Sequence, residues 1–213
     1  VPNKLLEPTV HLIDDDEAVL DSLGVLLGAA GLRTKAWAQP QAFLDAYRHD
    51  WSGCVILDIN MPALSGLGLQ QELVAIGATL PIIFMTGHGS VSAAVQAMKA
   101  GAFEFVEKPC DATTLLDHVR RAFELDARKR AASGQQRQVR ERLDTLTPRE
   151  AQVLDLILAA KATKVIALEL GLSQRTVEIY RANIMQKMQS KSVAQLVKTV
   201  SDYRAGAQNG EPT

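Results

Sequence analysis

Cysteine is almost missing from this 213-residue chain: Cys54 and Cys110 are its only two, with no CxxC spacing and no histidine cluster beside either. That count excludes a disulfide framework and a thiolate zinc site, and both residues are read as free thiols. Long apolar runs are missing too. Each is broken within a few residues by Asp, Gly or Lys, so none approaches the ~20 residues that cross a bilayer. The first residues lack the charged-then-apolar order of a secretory signal, which makes a cytoplasmic location with no membrane partner the expectation. Net charge is nearly absent, at −1, with 47% apolar and 22% charged residues. This is the balance of a soluble globular protein long enough for one ordinary domain and a second small one.

The neutral total conceals a polarity. Residues 1–126 hold 8 Lys and Arg against 16 Asp and Glu, residues 127–142 hold 6 against 1, and residues 143–204 hold 9 against 6. A basic C-terminal part suggests contact with a polyanion, and an acidic N-terminal part suggests handling of cations.

Within the first 126 residues, short β-branched runs alternate with stretches of helical period. Strands are expected at 10–13, 32–38, 54–57, 82–85 and 104–106, the second being the weakest signal. Between them lie Val19, Leu23, Leu26 and Leu27 closed by Gly31, then Leu69, Leu73 and Ile76 closed by Gly77, then Val91, Val95 and Met98 closed by Gly101. The last of these stripes is expected in the core. Five such units require right-handed crossovers and a parallel sheet covered on both faces, an α/β domain whose ligands gather at the carboxyl ends of the strands. A final helix from about Thr113, with Leu115, Leu116, Val119, Ala122 and Phe123 inward, grades into a polar linker at 127–142. That linker shows no core-forming pattern and is either an extended helix or mobile chain.

The second domain, at 143–204, opens with Thr147, Pro148 and Glu150 at the N-cap, N1 and N3 positions of a helix. A helix over 164–170 follows, with Gly171 as the turn. Then comes one over 173–188 capped by Ser173 with Val177, Ile184 and Met188 inward, and a last one near 193–203. Together these form a small all-α domain of four helices. Residues 208–213 are read as a disordered tail.

Three carboxylates, Asp14, Asp15 and Asp16, follow the first strand, and Asp58 ends the third, so a parallel sheet brings them to one rim. Without a cation they would repel one another or take up protons. A hard divalent ion, Mg2+ or another such as Mn2+, with oxygen ligands and retained waters is the economical partner. Lys108, before Pro109, puts an ammonium on that rim, and Thr86 adds a hydroxyl at the end of the fourth strand. Attack of a carboxylate on a phosphoryl group uses this set. Asp58, alone at its strand end, is the expected nucleophile, with Asp14 and Asp15 as metal ligands.

The stretches HLIDDDEAVLDSL (11–23), GCVILDINMPALSGL (53–67), MTGHG (85–89), AMKAGAFEFVEKP (97–109) and LTPRE…TVEIYRANIMQKM (146–188) resemble the two-component response regulators, specifically the FixJ-like members of the NarL/LuxR class. The resemblance implies a receiver domain at 8–126 with a doubly wound five-stranded sheet of flavodoxin-like order. It also implies a LuxR-type helix-turn-helix at 143–204. It further implies phosphorylation of Asp58, metal binding by Asp14, Asp15, Asp58 and the Asn60 backbone carbonyl, and a phosphate-sensing set of Thr86, Phe105 and Lys108. Phe105 would move inward as Thr86 turns, so that the face of the fourth helix and fifth strand forms a homodimer; a plain core aromatic is the alternative for Phe105.

In the helix over 173–188, Arg175, Thr176, Glu178, Ile179, Arg181, Ala182 and Lys187 lie away from the buried stripe and are expected to meet double-stranded promoter DNA. Thr176 and Lys187 are expected at phosphates, and Glu178, Ile179, Arg181 and Ala182 at base edges. Where the resemblance leads one to expect a glycine turn and an Asn before Lys164, this chain has residues 160–163 reading AKAT. The expected protein is therefore no enzyme but a phosphoacceptor served by a sensor histidine kinase. Its rivals are a receiver that is no longer phosphorylated and a small phosphatase or phosphotransferase.

Overall fold

The computed structural model describes residues 7–87 and 91–208. His88 and Gly89 of the MTGHG stretch, and 209–213 of the expected tail, lie outside the described residues. The chain divides into two compact units, 1–130 and 131–213.

In the first unit, β1 (Thr9–Ile13), β2 (Arg33–Trp37), β3 (Gly53–Asp58), β4 (Ile82–Thr86) and β5 (Glu104–Glu107) form one sheet ordered β2-β1-β3-β4-β5, every pair parallel. The order reverses between β1 and β3, which defines a switch-point crevice at their carboxyl ends. Because side chains alternate across a strand, β3 feeds both cores. Cys54 and Ile56 join Val10, Leu12 and Ile83 under α1 (Glu17–Ala29) and α5 (Ala112–Leu143). Val55 and Leu57 join Ile13 and Phe84 under α2 (Pro40–Ala46), α3 (Gly66–Ala75) and α4 (Val91–Lys99). The edge strand β2 has no fully buried residue, the reason its apolar signal is weak.

One expected stripe is corrected. Val91, Val95 and Met98 are exposed at 82%, 46% and 45%, whereas Ala97 is wholly buried. Periodicity locates the apolar face of a helix but not whether anything covers it, and α4 meets the core through Ala97 and Ala93 instead. Ile76, at the C-cap of α3, is likewise exposed.

The second unit contains α6 (Pro148–Leu158), α7 (Thr163–Leu170), α8 (Gln174–Lys187) and α9 (Val193–Gln208). Thr147 and Glu150 complete a reciprocal capping box at α6, and Ser173 caps α8 by accepting from the Thr176 amide. Gly171 ends α7 at φ +64°, a left-handed conformation that glycine adopts without a Cβ clash. In the AKAT stretch, α6 stops at Leu158 and Ala160 takes φ +56°, so an alanine performs a turn that glycine ordinarily favours. Residues 127–142 are helical, all within α5, and Val139 is buried in the core formed by Val153, Ile166, Val177, Ile184 and Leu196. A single valine in a polar run has no period, which is why 127–142 shows no core-forming pattern in the sequence.

Candidate functional site

The rim residues converge through Lys108. Its ammonium, held beyond β5, donates to Asp14 Oδ2 at 2.7 Å and to Asp58 Oδ1 at 2.9 Å. The other carboxylate oxygens are held by the backbone: Asp14 Oδ1 accepts from the Asp16 amide at 3.0 Å and Asp58 Oδ2 from the Asn60 amide at 2.6 Å. Both acids are nearly buried, at 5% and 8% exposure. Burial pulls the Lys108 ammonium toward deprotonation, but its hydrogen bonds to Asp14 and Asp58 and their charges outweigh that and raise its pKa above the ordinary lysine value. Lys108 is therefore a fixed cation at neutral pH.

Thr86 is buried at the end of β4, and its carbonyl accepts the Lys108 amide at 2.8 Å. Phe105 is half-buried and packs in the core on the α2–α4 side. Phe105 pairs with Phe84, and Thr86 lies two residues beyond Phe84, so Thr86 and Phe105 share one sheet face. The DDD run splits into three roles. Asp14 joins the ion pair, Asp16 caps α1 by accepting from Ala18 N, and Asp15 is exposed.

Among the described residues no group of three His, Cys, Asp or Glu is arranged to hold a metal; Asp14 and Asp58 are buried and Asp15 is exposed. The donor set still fits a small hard cation. Two buried carboxylates share one ammonium, leaving negative charge in excess, and Mg2+ binds through as few as one or two carboxylates while keeping waters. Asp14, Asp58, the neighbouring Asp15 and the Asn60 carbonyl are the residues that would hold it.

On α8, Val177, Ile184 and Met188 are buried as expected. Arg175, Glu178, Ile179 and Ala182 are exposed, and Thr176, Arg181 and Lys187 are half-buried. Three of these seven are already engaged within the protein. Lys187 Nζ donates to Glu150 Oε2 at 2.7 Å and to the Thr145 carbonyl at 3.0 Å, Thr176 Oγ1 lies 2.7 Å from Ser173 Oγ, and Glu178 Oε1 accepts from the Thr163 hydroxyl at 2.7 Å. The hydrogen bond from Lys187, then the Thr147 amide, lowers the Glu150 pKa, so the expected phosphate contact of Lys187 competes with a charged internal partner.

The sequence matches the response regulator receiver domain over residues 10–120 and the luxR family of bacterial regulatory proteins over 144–200. The chain belongs to the response regulators. Its similarity to other response regulators runs nearly end to end. The transcriptional regulatory protein FixJ of Azorhizobium caulinodans is 44% identical over 189 residues, 89% of this chain and 90% of that protein. FixJ of Bradyrhizobium diazoefficiens is 41% identical over 203 residues, 94% and 97% of the two chains. Among solved structures, the response regulator StyR superposes with a TM-score of 0.87 at 41% identity, over 93% of this chain and all of that one. This response regulator thus pairs a receiver with a LuxR-type DNA-binding domain and acts in transcription regulation.

Asp126 carries a contact that no motif signalled. Buried in α5, it accepts from Gly53 N at 3.0 Å and Ser52 Oγ at 3.1 Å, and Arg130 beside it donates to the Asp50 and Trp51 carbonyls. A signal was present: Asp126 falls four residues after Ala122 and seven after Val119, so it occupies the buried stripe of α5.

Proposed function

We propose that a sensor histidine kinase, or a small acyl phosphate, phosphorylates Asp58 in a Mg2+-dependent reaction, and that the phosphorylated protein dimerises and binds promoter DNA sequence-specifically. The observation that carries this reading is the Lys108 ammonium bridging two nearly buried carboxylates at the switch point of the sheet. Oδ1 of Asp58 attacks phosphorus, an O–P bond forms, and the donor's P–N or P–O bond breaks with its electron pair leaving on the donor. Lys108 exchanges its contact with Asp58 for a phosphoryl oxygen, and the Thr86 hydroxyl contacts another. A bound divalent ion would supply charge neutralisation at the phosphoryl oxygens.

Three exposed apolar side chains on α4, Val91, Val95 and Met98, support a phosphorylation-dependent homodimer through α4 and β5, with Thr86 and Phe105 as the switch on the adjoining sheet face. Arg175, Thr176, Glu178, Ile179, Arg181, Ala182 and Lys187 are the proposed DNA contacts. We place the protein in the cytoplasm; among the described residues no helix is long and apolar enough to cross a membrane. The chain is read as a phosphoacceptor rather than an enzyme with an external substrate.

Incubation with acetyl phosphate and Mg2+ should give one hydroxylamine-labile phosphoryl group by intact mass, lost in Asp58→Asn and on chelation. A modified Asp58→Asn protein would overturn the assignment, and rapid turnover of a generic phosphomonoester would favour a hydrolase.

A further inference from the structure

Two charged side chains of α8 are tied to other parts of the second unit, and the ties differ in kind. Lys187 meets Glu150, which is 3% exposed and already part of the α6 capping box; that contact pairs a cation with a buried carboxylate. Glu178 is exposed, and what holds it is the hydroxyl of Thr163, the first residue of α7, at 2.7 Å and fifteen positions away in sequence. Thr163 is half-buried and β-branched, so its χ1 is confined to few rotamers and its hydroxyl samples fewer positions than the tip of a long side chain.

A free glutamate on a helix surface samples many rotamers, and freezing one on binding costs entropy. An ionised carboxylate only accepts hydrogen bonds. In the major groove, cytosine N4 and adenine N6 donate, whereas the guanine and thymine edges offer acceptors and a methyl group. A carboxylate held in place therefore discriminates in two ways: it accepts from an amino group and repels an acceptor. With Oε1 occupied by Thr163, Oε2 remains for the base.

We propose that Thr163 is a positioning residue for base readout, holding the Glu178 carboxylate so that it selects a base with a major-groove amino group, cytosine or adenine, at one position of each half-site. This rests on the DNA-binding reading above and deepens it.

The test is selection of bound duplexes from a randomised double-stranded DNA pool by the full chain after acetyl phosphate treatment, comparing wild type with Thr163→Val, Thr163→Ser and Glu178→Ala. Wild type and Thr163→Ser should enrich cytosine or adenine at one position. Thr163→Val should weaken that preference by about 3- to 10-fold, the scale of one hydrogen bond, with other positions and affinity for unselected DNA unchanged. Adding Thr163→Val to Glu178→Ala should then change nothing further. A Thr163→Val pool identical to that of wild type overturns the proposal while DNA recognition stands. A wild-type pool without any enrichment overturns the DNA-binding reading and the proposal with it.

Discussion

His11 shows how a single residue can set the pH response of a sheet. It lies in β1 at 3% exposure, stacked on Trp51 at 4.4 Å between ring centroids, edge-on to Phe43, with Nδ1 accepting the Trp37 indole N–H at 3.2 Å. Both tryptophans of the chain take part. Burial, then the charge of Lys35, lowers the His11 pKa from 6.5 to about 4, and the accepting Nδ1 is itself a feature of the neutral ring. The unfolded chain therefore binds the proton more readily than the folded one between pH 6.5 and 4. Stability is full above pH 6.5 and falls as the pH drops through that window, by about 2 kcal/mol at pH 5. Denaturant unfolding of wild type and His11→Phe at pH 7.5 and pH 5 measures this. An unchanged pH difference in the variant would show that the loss arises elsewhere.

At the scale of elements, the strand that carries Asp58 is tied at its far end to α5. Gly53 opens β3 at φ +129°, where an added Cβ would strike the Thr9 backbone, and its amide donates to Asp126. Removing the carboxylate leaves that buried N–H without an acceptor, a loss on the order of 1–3 kcal/mol. Asp126→Ala should lower receiver stability by that amount in chemical denaturation, and Asp126→Asn by less because its amide oxygen still accepts. Equal losses in both variants would mean that charge rather than hydrogen bonding matters. The same contrast explains what could be read beforehand. The α6 and α8 starts follow from local chemistry, a Thr-Pro-x-Glu box and a serine cap, and both are observed. The exposure of α4 depends on which of its faces the sheet accepts, which no residue of α4 encodes alone.

For the molecule as a whole, the boundary between units falls inside one continuous helix, because α5 spans Ala112–Leu143 while the units meet at 130/131. Its later turns belong with the C-terminal core through Val139, at 4% exposure. Val139→Ala should cost about 1–3 kcal/mol through lost burial and a cavity. The loss should appear as faster amide hydrogen exchange in α6 to α9, with β1 and β3 protected as in wild type. Equal acceleration in the sheet would show that the two units unfold together.

Composition, strand and helix periods and the order of acidic, hydroxyl and lysine residues determined the architecture and the members of the rim. These signals are local, or are forced into one place by parallel topology. Tertiary structure alone decided that Lys108 bridges Asp14 and Asp58 while Asp15 is left exposed, that Val91, Val95 and Met98 lie uncovered, that Val139 is core, and that Thr163 meets Glu178. Each of these depends on which side chains distant in sequence arrive within a few ångströms of each other, and a one-dimensional pattern carries no such distance.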